Sequence, residues 1–363
     1  MNKQQSEELK SIIRCIDITD LESFRFKEEL HPVMNRQAHQ KHYLPFNQFG
    51  QNKAAGSDDA TGIQNLMTTL SGILYGQCYC YPFFKKGEKM PEPKATVTES
   101  SKEFINYLSQ YNFTKEGWDR GWVVYNTDGK NHTFVQKNGE LKYLIPGDYR
   151  FSDPKQQGLK VNTPVDIKIK KEDKDNQYGF YFVYSEAMPE QSSGVIRFYW
   201  NVSPEGAVKL VELVSTAFNR SKVPFRFKCL KFPSMYANRS DCSVLYLEKR
   251  HFKIACLLIK GFLSQLEPYL QEETPLFAKR LHKGLSFAED PNDGSSFGMH
   301  RSDLMARALV EAHRKNINSL DKKLQEVVRV FKENGIDPAQ PWLNPNSHYQ
   351  YNFTDFSAAQ PNH

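Results

Sequence analysis

The sequence predicts an α+β fold. A mixed or antiparallel sheet packed by helices occupies the C-terminal half, and helices with β-hairpins occupy the N-terminal half. Three observations carry this expectation. From "GVIRFYWNV" onward, strand and helix patterns follow in the order strand, helix, strand, strand, helix, with short loops. The middle holds hairpin-turn pieces, "DGK" and "NGE", between alternating runs. The helical stretches of the second half carry caps and stops, and no internal repeat is visible.

In chain order, "DITDLESFRF" and "TGIQNLMTTLSGILYGQCYCYPF" read as helical, the second from the spacing of Ile63, Leu66, Leu70 and Ile73 or Leu74. "KKGEKMPEPKATVTESS" has charge and proline without periodicity and reads as a linker. "SKEFINYLSQYN" reads as a helix, and "GWVVYNTDGKNHTFVQKNGELKYLIPGDYRF" as hairpin strands. "DIKIKKEDKDNQYGFYFVYSE" reads as two strands around a charged tip, Lys168 to Asp175, with no functional role. "SPEGAVKLVELVSTAFNR" is a marked helix: Ser203 as N-cap, Pro204 in the first turn, and a stripe of Ala207, Leu210, Val211, Val214 and Phe218. "FRFKCL" and "CSVLYLEK" are strands, and "RHFKIACLLIKGFLSQLEPYL" and "HRSDLMARALVEAHRKN" are helices. The last helix, "SLDKKLQEVVRVFKENG", starts at Ser319 and stops at Gly335. Two domains are expected, 1–165 and 166–363, the first a candidate for peptide or kinase recognition.

Composition narrows the function classes. Of 363 residues, 39% are hydrophobic and 25% charged, which favours a folded chain over a disordered one. The net charge of +6 is a mild excess that suits an anionic ligand and does not point to nucleic acid. The six cysteines form no C-x-x-C pair, so reduced thiols in a cytoplasmic protein are expected. The opening "MNKQQSEELK" is no secretory signal, and the apolar run Ile254 to Leu263, broken by Lys260 and Gly261, is too short to span a membrane. Cys78 with Cys80, and His39 with His42, lack the further ligands of a metal site. No Walker loop, G-x-S-x-G, G-x-G-x-x-G or kinase signature occurs.

Three segments carry candidate chemistry. In "FRFKCLKFPSMYANRSD", Arg226 and Lys228 share one face of a strand, and Lys231, Tyr236, Arg239 and Asp241 follow in the loop. Converging cations make an anion site, since a guanidinium binds phosphate bidentately and lysine acts as a point charge. The plainer alternative is a solvated strand edge with Arg239 paired to Asp241. "EDPNDGSSFGMHRSD" is a turn-rich loop running into a helix near His300 or Arg301. Its free N–H groups, Ser296 and Arg301 suit a phosphate, unless Ser302 or Asp303 simply caps the helix. "TPLFAKRLHKGLSFAED" places Lys279, Arg280, His282 and Lys283 within five residues. His282 is a candidate general acid, or an ordinary surface histidine.

These blocks, in this order, resemble the HopA-type family of type III secreted effectors over roughly Tyr178 to Pro345. That family includes HopA-like phosphoserine/phosphothreonine lyases of class V lanthipeptide and thioviridamide-like pathways. The resemblance implies β-elimination of phosphate from a precursor peptide, leaving dehydroalanine or dehydrobutyrine. It implies as partners a phosphorylated precursor peptide and a separate aminoglycoside-phosphotransferase-like kinase, with no nucleic acid, no membrane, no metal and no organic cofactor. The location is the cytoplasm, or a host cell for a secreted effector. Arg197, Lys228, Asp241, Glu289, Ser296 and Arg301 match residue types of the family pattern, whereas the pathogen effectors differ at Arg239, His282 and His300.

Such an elimination needs a base for the Cα proton, a donor for the enolate-like oxygen and a grip on the leaving phosphate. The expected assignment makes Lys228 the base, with Arg226 or Arg239 lowering its pKa. Arg197, Arg226, Arg239, Lys279, Ser296 and Arg301 hold phosphate. His300 or His282 is the acid, with Tyr236 a further candidate, and Asp241 and Glu289 orient the cations. A binding module for a phosphorylated or acidic peptide is the rival, using the same arginines without a base.

Overall fold

The computed structural model describes residues 1, 3–34, 58–83, 101–128, 132–189, 194–237, 239–353 and 356. The linker expected at 85–101 lies outside them except for its last residue, as do His39, His42 and the Gly-Lys part of "DGK". The fold is α+β, and every strand pairing among the described residues is antiparallel.

The N-terminal helix α1 (Lys3–Arg14) is followed by β1 (Ile16–Ile18), β2 (Ser23–Phe26) and β3 (Glu29–Pro32), a three-stranded sheet. The helix expected over "DITDLESFRF" is therefore a hairpin. Phe24 and Phe26 alternate around Arg25 and are fully buried, a period of two that a helix cannot satisfy. Asp20 fixes the turn by accepting from the Glu22 and Ser23 N–H groups. Next come α2 (Asp58–Leu74), which runs on into a π-helical turn at Tyr75–Cys80, and α3 (Ser101–Gln110).

Strands β4 (Gly117–Thr127), β5 (Thr133–Lys137), β6 (Glu140–Leu144), β7 (Tyr149–Phe151) and β8 (Pro164–Ile169) form a five-stranded sheet in the order β6-β5-β4-β8-β7. The expected "NGE" turn closes β5 onto β6: Lys137 pairs with Glu140, and Asn138 and Gly139 both take positive φ, 51° and 82°. That is the conformation a two-residue hairpin demands. Trp122, Val124, Val135, Leu144, Val165 and Ile167 give this sheet its own small core.

The seven-stranded sheet holds β9 (Glu172–Asp173), β10 (Phe180–Tyr184), β11 (Val195–Trp200), β12 (Arg226–Leu230), β13 (Ser243–Glu248), β14 (Lys279–His282) and β15 (Leu285–Glu289), ordered β14-β15-β11-β13-β12-β10-β9. The hairpin expected with its tip at Lys168–Asp175 does not form. β8 buries Val165 and Ile167 in the small core, whereas β10 buries Phe180 to Val183 in the large one, so the two strands enter different sheets. The charges between them are engaged: Lys168 pairs with Glu116, Lys170 with Asp148, and Lys171 donates to the Ser109 carbonyl. The expected boundary at 165/166 falls inside β8.

Helices cover both faces of the large sheet. On one side lie α4 (Pro204–Arg220), capped by Ser203 as expected, and α5 (Phe252–Leu266), whose Phe252 packs on Phe198 and Phe287. On the other lie α2, the π turn and α6 (Phe297–Arg314), with Tyr79 and Phe297 against Tyr199. α6 begins before the expected His300. Ser296 is its cap and accepts from the Met299 N–H, while Ser302 lies inside the helix. Gly298 lets this helix approach, since a Cβ there would overlap the Tyr79 ring. α7 (Leu320–Glu333) ends the described helices, with Gly335 just beyond at φ 72°. No described helix is long and apolar enough to cross a membrane.

Candidate functional site

The antiparallel register gathers the cations. Arg197 on β11 lies opposite Tyr246 on β13, and Tyr246 lies opposite Arg226 on β12. Two residues along, Tyr199, Val244 and Lys228 form the parallel row, with Phe182 of β10 beyond. Side chains two apart on a strand share a face, so Arg197, Tyr199, Tyr246, Arg226 and Lys228 all project from the same side. This is the side that α6 and the π turn cover only in part: Tyr199 is buried beneath them, whereas Arg226 is exposed.

Aromatic rings bind the group together. The Arg226 and Arg197 guanidinium carbons stand 4.5 and 5.2 Å from the Tyr246 ring centre, and Lys228 Nζ stands 5.9 Å from it. Lys228 Nζ also sits 4.1 Å over the Phe180 ring, which Arg239 approaches to 5.8 Å. One ring thus joins the strand lysine to the loop arginine. Arg239 Nε donates to Asp241 at 2.6 Å, and Cys80 from the π turn lies against the pair, 3.9 Å from the Asp241 carboxylate.

The charges divide into paired and unpaired. Arg197 is buried and donates to Asp290 at 2.7 Å, with a second contact to the Ser295 carbonyl at 3.5 Å. Burial works against its charge, but Tyr199, Tyr246 and Asp290 outweigh it and hold its pKa above the usual arginine value. Arg239 is held up likewise, burial opposing and Asp241 prevailing. Arg226 and Lys228 make no ion pair among the described residues; Lys228 has a 3.4 Å contact to the Gln177 side chain and interacts with the Tyr246 hydroxyl. Two unpaired cations therefore stand on one face with two arginines whose carboxylate partners leave part of each fork free.

Two tyrosines complete the arrangement. Among the described residues the Tyr199 hydroxyl, deeply buried, has no hydrogen-bond partner; burial pushes it up to about 12, with Arg197 pulling the other way. Burial pushes the Tyr246 phenol up too, but Lys228, Arg197 and Arg226 together bring it below the ordinary tyrosine value. An orphaned hydroxyl and an acidified phenol beside unpaired cations suit an anion that also exchanges protons.

Other expected site residues lie in different surroundings. Tyr236 is buried and gives its hydroxyl to the Leu230 carbonyl at 2.5 Å. His282 and Lys279 are on β14, four strands from β12 and so about 19 Å away. His282 Nε2 contacts Glu267, and Lys279 stands over Trp342 at the wall of a separate cleft of about 940 Å³, between α1, α7 and residues 273–280. Arg301 has no exposed surface. Its guanidinium donates to the Pro341 and Leu343 carbonyls at 2.8 Å and to His300 Nδ1, and burial pushes it down to about 10. His300 accepts at Nδ1 and faces Asp293 with Nε2 at 3.7 Å; burial, then Arg301, lowers its pKa, so the ring is neutral near pH 7. Ser296 is occupied as a helix cap. Glu289 holds Lys249 and accepts from Ser347, Tyr351 and the Asn344 N–H.

The residues sequence reasoning missed are Tyr246, Tyr199, Asp290, Phe180 and Cys80. Tyr246 had a usable signal: in "CSVLYLEK" it alternates with Val244, and antiparallel pairing with "FRFKCL" sets it beside Arg226. Nothing local marks Cys80, which reaches the site from 159 residues before Arg239.

Comparison with known proteins agrees with the resemblance. The model of the HopA1 effector protein family matches residues 171–343. Among solved structures, the effector protein from Pseudomonas syringae pv. tomato strain DC3000 is 16% identical, covering 70% of this chain and 86% of its own, with a TM-score of 0.43. The effector protein from Pseudomonas syringae pv. syringae strain 61 is 15% identical, covering 78% and 98%, with a TM-score of 0.41. No curated protein matches.

Proposed function

We propose, starting from the match of residues 171–343 to the HopA1 effector protein family, that this protein is a phosphoserine/phosphothreonine lyase. It would eliminate phosphate from a kinase-phosphorylated precursor peptide in the cytoplasm, leaving dehydroalanine or dehydrobutyrine. The partner kinase is of the aminoglycoside-phosphotransferase type. The observation that supports the reading is the pair Arg226 and Lys228, without an ion pair among the described residues, on one sheet face with Arg197 around the Tyr246 ring.

The chemistry assigns the roles. Arg197, Arg226 and Arg239 hold the phosphate dianion, with Asp290 and Asp241 orienting the two buried arginines. Lys228 takes the Cα proton. Its Nζ stands 4.1 Å over the Phe180 ring and 6.0 Å from Phe182, on the same face as Arg226. The family's effector members favour a second reading, in which the same face binds a phosphorylated or acidic peptide without turnover inside a host cell.

Incubation of a phosphothreonine peptide with the protein separates the two, with loss of phosphoric acid read by mass spectrometry. Wild type is expected to eliminate, and Lys228→Ala to fall by 100-fold or more while still binding the peptide. Retained elimination in Lys228→Ala removes lysine as base. Binding without elimination by wild type, across phosphoserine and phosphothreonine peptides, replaces the lyase with the binding module.

A further inference from the structure

A departing phosphate needs a proton, and its donor has to stand between the base and the arginines that hold the phosphate. His282 is four strands from Lys228, Tyr236 spends its hydroxyl on a core carbonyl, and His300 is tied to Arg301 at Nδ1 and turns its Nε2 to Asp293. Tyr199 is sealed beneath Tyr79 and Phe297, which leaves Tyr246 as the proton-bearing side chain at the required position among the described residues. Tyr246 lies directly across the ladder from both Arg197 and Arg226, and its ring is shared by these two arginines and Lys228.

We propose that Tyr246 is the general acid of the elimination, giving its phenolic proton to the phosphate oxygen as the Cβ–O bond breaks and regaining it from Lys228. The inference rests on the lyase reading. The groups that face Tyr246 are Arg197 and Tyr199 from β11, and Arg226 and Lys228 from β12, with Tyr184 of β10 beyond Arg226. Carboxylates share the surroundings: Glu248, two residues along β13 on the same face, is held by Arg250, Asp290 by Arg197 and Asp241 by Arg239, while Asp173 lies across from Phe182 on the far side of Lys228. The phenol therefore meets mainly positive charge. Burial raises its pKa, and Lys228, cationic once it has taken the Cα proton, outweighs that effect together with Arg197 and Arg226, so the phenol becomes a better acid as the base is protonated.

The step balances. The neutral Lys228 amine takes the Cα proton, and the C–H electron pair becomes the second bond between Cα and Cβ. The Cβ–O pair leaves on the phosphate oxygen, which receives the Tyr246 proton to give hydrogen phosphate. Lys228 is then an ammonium beside a phenolate, and proton transfer between these neighbours restores both. Nothing is oxidised or reduced, and no co-reactant enters.

The test compares wild type, Tyr246→Phe, and protein carrying 3,5-difluorotyrosine at 246, on one phosphothreonine peptide. Tyr246→Phe is expected to lose 100-fold or more in kcat with KM within threefold. The fluorinated phenol keeps the shape and loses its proton at lower pH, so the basic limb of the kcat profile is expected to move to lower pH. A kcat loss below 100-fold, a KM rise matching the kcat loss, or a basic limb that stays in place overturns the assignment. The fluorinated protein decides the matter if Tyr246→Phe does not fold. Absence of elimination by wild type removes the lyase reading itself, an outcome the wild-type arm reports separately.

Discussion

At the scale of single residues, the same side-chain type does different work in different surroundings. Arg226 is exposed and makes no ion pair among the described residues, whereas Arg301, equally cationic in sequence, is sealed against two backbone carbonyls. Glu289 is the acidic counterpart. Burial would raise its pKa, but Lys249, Tyr351, the Asn344 N–H and Ser347 outweigh that and lower it. A carboxylate depressed on folding contributes stability above its unfolded pKa of about 4.3, and that contribution is lost as pH falls through the lower folded value. Glu289→Gln is therefore expected to cost about 2 kcal/mol at pH 7 in urea denaturation. The gap between variant and wild type should close progressively as the pH drops below about 4.3. A gap that persists unchanged to pH 2 would show that charge plays no part.

At the scale of elements, the sheet register builds the site and the helices decide how much of it stays open. Residues two apart on β11, β12 and β13 put cations and tyrosines on one face, and α6 with the π turn seals the Tyr199 end. The seal depends on contact between Tyr79 and the first turn of α6 at Gly298. Gly298→Ala forces that turn away from the ring and is expected to cost about 1–3 kcal/mol. The same displacement shifts the 290–296 loop that holds Arg197, so affinity for a phosphopeptide should fall with it. Unchanged thermal stability in this variant would mean the helix adjusts freely.

At the scale of the whole molecule, two cores differ in size. The large one draws on α1, α2, α3 and the seven-stranded sheet together, from Leu9 to Phe356. The small one holds six buried residues around Trp122 inside the five-stranded sheet. Stability is not uniform across such a structure. Trp122→Ala removes the largest side chain of the small core, at about 3–5 kcal/mol. Hydrogen exchange is expected to show loss of protection over β4–β8 while β11, β13 and β15 keep theirs. Equal loss across both sheets would make them one cooperative unit.

What could be read from sequence follows the range of the interaction. The helix at Pro204–Arg220 with its Ser203 cap, the Asn138-Gly139 turn and the shared face of Arg226 and Lys228 are local, set by periods, caps and backbone conformations within a few residues. The ordered blocks of the second half carried the family resemblance, and residues 171–343 match that family. Where local signals were weak, long-range burial decided. Phe24 and Phe26 turned an expected helix into a hairpin, and β8 and β10 parted because their apolar faces belong to different cores. The sequence by itself determined that two cations share one face of β12. Only the tertiary structure decided what they stand around, because the pairing of β11, β13 and β12 joins Arg197, Tyr246 and Arg226 across chain separations no local pattern spans.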